Sequence, residues 1–484
     1  MMTGHSGGHH QHPHGEAAAV GAGRWWVLGL LCLAQFMVIL DVTVVNIALP
    51  AIGADLALGR EAVTWVVTAY TLLFGGLLMF GGRLADLLGR RRVFLAGLVL
   101  FTAASLAAGV AGSGAGLIAA RAVQGVGAAL LSPAALSIVT TTFHGAERHR
   151  ALGVWAAIGG GGAAAGVLLG GVLTSGPGWS WAFFVNVPVG ALVAGLVPVF
   201  VRRDAARPGR PGRRGIDLPG ALLVTGATAL VIYGLVRAGD GGWASAAVPL
   251  LAGIAVAGVF VLVERRTAEP LVRLALLARR PVVAGNLVML GASALLLSAF
   301  FLTSQYLQHT AGLSALGTGF AFLPVAVATV AGAHLAGRLI PRTGARPVAA
   351  AGFLLAAAGL WLLSRLPAAP DVLADVEPGF TLTGLGLGAA FVTATTTAMS
   401  HVSHEEAGLA SGLINTGHEL GASLGVAIMS TAAAPAVATA AAPASAFGDA
   451  YLAAAVIAAA VTLAASVLLP KGRPPAHDGP IFAH

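Results

Sequence analysis

Apolar runs of about twenty residues recur along almost the whole chain, separated by short Gly-, Pro- and Arg-rich breaks. Read as spans, they fall at 25–48, 62–82, 92–112, 115–138, 151–175, 181–201, 218–238, 247–264, 283–304, 317–338, 347–365, 378–400, 407–432 and 447–469. A helix that crosses the hydrocarbon layer needs about 20 such residues, so the pattern predicts fourteen transmembrane helices. A membrane β-barrel would instead show alternating segments of about ten residues, and none is present. The expected fold class is all-α and polytopic.

Composition agrees. With 57% hydrophobic and only 10% charged residues over 484 positions, one soluble core with a water-facing surface is excluded. The longest strongly polar stretch, Arg202 to Asp217, is too short for an independent domain and reads as a flexible connector lying on anionic headgroups. The single cysteine, Cys32, lies in the first span, which rules out a disulfide framework or a cysteine metal site. That first span is longer than a signal-peptide core and contains Asp41, so it is expected to remain as a helix. Before it, residues 1–24 form a Gly-rich tail with His5, His9, His10, His12 and His14. Such a stretch has no means of packing; a disordered cytoplasmic tail is the preferred reading over a divalent-metal site. A second cytoplasmic tail is expected at 470–484.

The net charge of +8 changes the picture only once the charges are placed. With loops numbered alternately, one side receives Arg24, Arg83, Arg90, Arg91, Arg92, Arg148, Arg150, the run from Arg202 to Arg214, Arg265 through Arg280, Arg338, Arg342, Arg346, Lys471 and Arg473. The other side receives only Arg60, Arg237 and Arg365. The positive-inside rule then puts both termini in the cytoplasm of an inner-membrane protein. A miscount by one helix would scramble this segregation, so the even count is supported. The basicity is topological and implies no nucleic-acid partner.

An internal repeat divides the spans. The turn Gly82, Arg83, Leu84, Ala85, Asp86, Leu87, Leu88, Gly89, Arg90, Arg91, Arg92 matches Gly337 to Pro347 at Gly82, Arg83, Leu84, Gly89 and Arg91, all at one offset. The small-residue runs Gly127, Ala128, Ala129 and Gly388, Ala389, Ala390 follow at nearly the same displacement. Two parallel six-helix repeats facing a midplane site are the architecture of rocking transporters. The expected organisation is an N-terminal bundle at 25–201, a linker with two extra helices at 202–282, and a C-terminal bundle at 283–469.

These residues resemble the major facilitator superfamily, and within it the fourteen-helix drug:proton antiporter branch. The turn Gly82 to Arg92 is similar to the superfamily's loop between helices 2 and 3. Leu40 to Pro50 resembles the motif ending helix 1 of this branch, and Leu117 to Gly127 the helix 4 motif. Trp181, Phe183, Phe184, Asn186, Val187, Pro188 and Gly190 resemble the opening of helix 6, and Gln305, Tyr306, Leu307, Gln308 the end of the seventh core helix. The matches run in order over nearly the whole chain. The resemblance implies proton-coupled efflux of small amphiphilic drugs, by a monomer in contact with membrane lipid, with no cofactor beyond the proton gradient. In one place the pattern departs: the branch's helix 5 motif carries a Gly-Pro pair ahead of Gly-Gly, whereas this chain has Gly166, Val167, Leu168, Leu169, Gly170, Gly171. Import or facilitated diffusion of a nutrient on the same fold therefore stays open.

Ionisable groups inside spans are costly unless protonated, paired or wet, and they mark function. Asp41 is read as a proton-coupling carboxylate, with a helix-end group in interfacial water as the alternative. Arg121 is tied to proton transfer in the family, with a structural ion pair as the competitor. Glu419 beside His418 suits a second protonation site or contact with a cationic substrate, against simple helix packing. Gly82, Arg83, Asp86, Gly89, Arg90 and Arg91 are assigned to a breakable conformational latch between the halves, with simple topogenic charge as the alternative. Gln124, Gln305, Tyr306, Gln308, Asn415 and His418 form a set of cavity candidates, although interhelical hydrogen bonding explains each as well. No Gly-x-x-x-x-Gly-Lys loop is present, which leaves ion gradients as the energy source. A membrane-embedded enzyme would need clustered acids and histidines at one face; only His401, His404, Glu405 and Glu406 come close, and no metal site is expected.

Overall fold

The computed structural model describes residues 14–143, 145–201, 217–267, 270–271, 279–400, 402, 407–434, 444–470 and 472. The histidines before residue 14, the connector before Asp217 and the 401–406 histidine and glutamate group lie outside them. Among the described residues, twelve helices are long and apolar enough to cross a membrane, and Gly145–Ser175 and Ala407–Ala432 bring the number to fourteen. In chain order they are α1 (His14–Asp55), α2 (Arg60–Leu88), α3 (Arg90–Gly109), α4 (Gly114–Thr142), α5 (Gly145–Ser175), α6 (Trp181–Phe200), α7 (Leu218–Ala238), α8 (Gly242–Arg266), α9 (Arg280–Thr310), α10 (Ala315–Thr343), α11 (Ala345–Leu363), α12 (Val372–Met399), α13 (Ala407–Ala432) and α14 (Ala444–Leu468). No strand occurs among the described residues. Helix α1 reaches back to His14, into the segment expected to be a tail.

The repeat is visible in the packing. In the first half α2 and α3 pack on α4 and α1 on α5; in the second, α10 and α11 pack on α12 and α9 on α13. Small residues let these backbones approach, as lipid-embedded helices require when no hydrophobic effect drives them together. A β-carbon at Gly81 would strike the Ala129 carbonyl, and one at Gly388 the Thr329 carbonyl. Both repeat turns hinge on a left-handed glycine, Gly89 with φ 98° and Gly344 with φ 91°, a conformation other residues adopt only with strain.

The halves meet at the Arg-poor end. There one apolar core runs from Val44, Ile47 and Ile52 of α1 through Phe301 and Leu302 of α9 to Phe322 of α10. Ser304 donates to the Asn46 carbonyl at 2.9 Å and Gln308 to the Ile47 carbonyl at 3.0 Å. Leu316 N–H at the start of α10 donates to Ser175 Oγ of α5 at 3.0 Å. Toward the Arg-rich end each half has a cluster of its own, Phe94, Val139, Phe143 and Val201 in the first and Ala336, Ile340, Val348 and Val392 in the second, and a smaller one of Met79, Val282 and Leu413 joins α2 to α9 and α13.

The extra helices are not alike. Helix α7 fills the seam between α2 and α13, where Leu72, Ile232, Val236 and Ala427 share one cluster, while α8 is almost wholly turned outward. Arg60, expected in a loop, is buried as the first residue of α2 and donates to Val236 O of α7 at 2.6 Å and Ser430 O of α13 at 3.4 Å. Arg237 and Arg365, the other basic residues of that face, lie over the rings of Tyr233 and Trp361 at 5.8 and 4.0 Å. All three are thus spent on local contacts.

Candidate functional site

In the first half, four helices aim polar groups at one buried point. Asp41 of α1 and Gln124 of α4 are fully buried, and Arg121 of α4 and Asn186 of α6 are 1% exposed. Arg121 and Gln124 share a face of α4 by their i, i+3 spacing. Arg121 Nη1 donates to Asp41 Oδ2 and, at 2.7 Å, to Gln124 Oε1. Gln124 Nε2 and Asn186 Nδ2 donate to Asp41 Oδ1 at 2.7 and 3.1 Å. Both amides also reach Ser105 Oγ of α3, at 3.2 and 2.9 Å, and that hydroxyl donates to Phe183 O at 3.1 Å. The remaining guanidinium edge is used on α2: Arg121 Nε donates to Val66 O at 3.1 Å, and its Cζ lies 4.3 Å from the Tyr70 ring centroid.

The electrostatics follow directly. A buried carboxylate is tolerated when paired and fully hydrogen-bonded, and every neighbour of Asp41 here is a donor. Oδ1 accepts from Gln124 and Asn186 and Oδ2 from Arg121, so three of the roughly four acceptor positions of the carboxylate are filled. Arg121 is tied to α2 through Val66 and Tyr70, and α2 packs on α13 of the second half. Asp41 is therefore buried in the bundle rather than a helix-end group in interfacial water.

Glu419 and His418 lie where that second half begins. His418 Nδ1 is 3.1 Å from Glu419 Oε1, with side chains 37% and 14% exposed, and the His418 ring packs on Phe391 at 5.6 Å between centroids. Gly75 of α2 faces Glu419 so closely that a β-carbon there would overlap it. Hydroxyl pairs continue the same seam: Thr71 with Ser423 and Thr64 with Ser430, each at 2.6 Å.

The cavity set scatters. Gln124 belongs to the Asp41 network; Gln308 closes α9 on α1; Tyr306 is fully buried, donates to Pro367 O at 2.5 Å and packs on Phe447. Gln305 is 3% exposed, and Asn415 is exposed on α13. Of the latch residues, Arg90 lies 3.9 Å from Asp86 within the turn, and Arg91 donates to Val201 O at the end of α6 at 2.8 Å. Both of these contacts stay inside the first half. In α5, Gly166 and Gly170 press on Thr43 and Val44 of α1, while Gly171 would meet Leu316 Cα of α10 at 2.8 Å if it carried a β-carbon. The helix 5 glycines thus make the α1 and α10 contacts without the proline.

Sequence reasoning did not select Ser105 or Tyr70. A lone serine in an apolar helix carries no signal, but Tyr70 is the one tyrosine of the first half, and one buried phenol among aliphatic spans was a usable clue.

Known proteins resemble this chain over most of its length. The family model described as the Major Facilitator Superfamily matches residues 31–426. The chain is 43% identical over 418 residues to the puromycin resistance protein pur8 of Streptomyces alboniger, covering 84% of this chain and 81% of that protein. It is 41% identical over 409 residues to the cephamycin export protein CmcT of Amycolatopsis lactamdurans, covering 84% of each. Against the lincomycin resistance protein of Streptomyces lincolnensis the identity is 39% over 420 residues, with 85% of each chain covered. Among solved structures, a bacterial homologue of the human lysosomal transporter Spinster superposes with a TM-score of 0.64 at 17% identity, over 92% of this chain and 98% of that one. A POT family peptide transporter gives 0.66 at 17% identity over 94% and 99%. At such identities the likeness is one of fold.

Proposed function

The chain belongs to the Major Facilitator Superfamily, and from that premise we propose that it is a proton-driven exporter of small antibiotic-like amphiphiles. It works as a monomer in the plasma membrane, with its Arg-rich end and both termini in the cytoplasm. The observation that carries this reading is the buried Asp41–Arg121 pair, ringed only by donors. Relatives named for antibiotic resistance and export support the direction, and the helix 5 glycines supply the contacts that a kinked motif would otherwise make.

In the state described, the Arg-poor end is sealed by α1 on α9 and α5 on α10, so substrate enters from the Arg-rich side. It meets Glu419, His418 and Phe391 at the seam. A proton from the far side reaches Asp41 after the halves rock, cancels the carboxylate charge, and so loosens the Arg121 guanidinium from it. Because Arg121 holds Val66 and Tyr70, its movement shifts α2 against α13, where the substrate groups lie. Proton and substrate thus favour opposite arrangements, and each promotes release of the other through differential affinity.

Everted vesicles energised by a pH gradient provide the test. Asp41→Asn is expected to abolish gradient-driven drug movement while leaving insertion unchanged; undiminished movement would remove Asp41 from coupling. Accumulation of substrate in energised cells, higher than in protonophore-treated ones, would instead establish import. Orientation is checked by cysteine labelling, since the single native thiol, Cys32, is buried.

A further inference from the structure

The second half carries a carboxylate that this mechanism does not use. Glu377 opens the regular part of α12, directly after the π-helical turn Val372–Val376, and such turns recur at functional sites. Its neighbours are satisfied locally: Asp371 Oδ1 accepts from the N–H groups of Leu373 and Ala374 at 2.9 and 3.2 Å, and Asp375 Oδ2 accepts from Asp371 N–H at 2.9 Å. Glu377 differs from both. Its side chain is 9% exposed, and Oε2 is buried with no hydrogen-bond partner among the described residues. The helix N-terminus favours a negative charge there but leaves that oxygen unmet, at a cost comparable to a lost hydrogen bond or more.

The same side chain lines a groove of about 420 Å³ between α10 and α12, whose other walls are Pro324, Leu373, Pro378, Thr381 and Leu382. The lining is apolar apart from Glu377 and the Thr381 hydroxyl. The groove lies at the Arg-poor end, between α10 and α12 and outside the seams where the halves meet. The groove is shallow and open along one side, and a whole phospholipid would extend beyond it.

We propose that this groove binds a small lipophilic amine, its apolar body lying along Pro324, Leu373 and Leu382 and its ammonium paired with the Glu377 carboxylate, whose side chain turns the buried Oε2 out toward it. An ammonium supplies both the missing donor and the opposite charge, and its hydrocarbon part covers walls that a hydrophilic cation would leave dry. The site is separate from the Asp41 network and stands whether or not transport is proton-coupled.

The test uses the full-length chain in nanodiscs of phosphatidylglycerol and phosphatidylcholine, with a diazirine-bearing octylamine and its uncharged N-acetyl amide as probes. Peptide mapping is expected to show labelling around Pro324, Leu373 and Thr381 at least about tenfold stronger for the amine than for the amide. Glu377→Gln should abolish that preference and Glu377→Asp retain part of it, with thermal unfolding and labelling elsewhere unchanged as the folding control. Equal labelling by both probes, or amine labelling that survives Glu377→Gln, overturns the assignment. If adding phosphatidylethanolamine abolishes the labelling at constant probe, the occupant is a lipid headgroup and the proposal of a small amine is wrong.

Discussion

The two halves share one frame and fill its centre differently. In the first, α1, α2 and α4 contribute Asp41, Tyr70 and Arg121, joined by hydrogen bonds and by the guanidinium over the ring. In the second, the corresponding helices α9, α10 and α12 contribute Phe300, Phe322 and Phe380, with ring centroids 4.9 to 5.6 Å apart. Aromatic packing is a sufficient way to hold three such helices together. The ion network in the first half is therefore not the fold's requirement, since its repeat partner does without one. A buried ion pair is weak evidence for stability, and ionisable groups inside spans, where an apolar twin suffices, carry the functional proposal.

Single substitutions separate the two centres most sharply. Arg121→Leu leaves the Asp41 carboxylate buried without its counter-ion, and a loss of about 3–5 kcal/mol is expected. The double variant Asp41→Leu/Arg121→Leu makes the first centre apolar like the second and should recover most of that stability with no transport. Thermal unfolding in detergent measures both. Phe380→Ala, which empties part of the second centre, is expected to cost about 3–5 kcal/mol through its cavity, while the protein that remains folded keeps its dependence on the pH gradient. A double variant as unstable as Arg121→Leu would mean that the network is structural after all.

Much of this contrast was legible in the chain. Span length and loop charge carry the fourteen helices, because lipid imposes one length and one charge asymmetry on every crossing. Asp41 and Arg121 stood out for the same reason, as charges where charges are expensive. Their being one pair was not legible: the two lie 80 positions apart, and only the packing of α1 on α4 joins them. Arg60 was read as a loop charge because it sits at a span boundary, whereas the covering α7 buries it. Gln308 and Tyr306 were read as cavity groups because an amide or phenol in a span has the same signature whether it faces a substrate or a backbone carbonyl.

A smaller effect belongs to the seam itself. Glu419 contacts α2 across from Gly75, and Glu419→Gln keeps the shape while removing the charge. For a cationic drug the expected result is about a tenfold rise in the concentration giving half-maximal efflux, with the neutral-drug value unchanged. The pH profile of that constant should also flatten. Identical profiles in variant and parent would leave Glu419 as packing between the halves. Gly75→Ala tests the same contact sterically, since its β-carbon would overlap Glu419; slower efflux with intact drug binding is expected, because rocking requires this approach to open and close.

The smallest effect is expected where the halves look most alike. The turns after α2 and α10 share glycines at Gly89 and Gly344 with nearly the same φ, yet the position of Asp86 in the first is Pro341 in the second. Asp86 is more than half exposed and its 3.9 Å approach to Arg90 is within its own turn, so the pair is worth about 0–1 kcal/mol. Asp86→Asn should change the efflux rate by no more than about fivefold, and less at high salt, where screening weakens an exposed pair further. Gly89→Ala should do more than Asp86→Asn, because it strains a backbone at φ 98° that fixes the angle between α2 and α3. If the charge change is instead the more damaging of the two, Asp86 must reach a partner in another conformation, and the turn is a latch rather than a hinge.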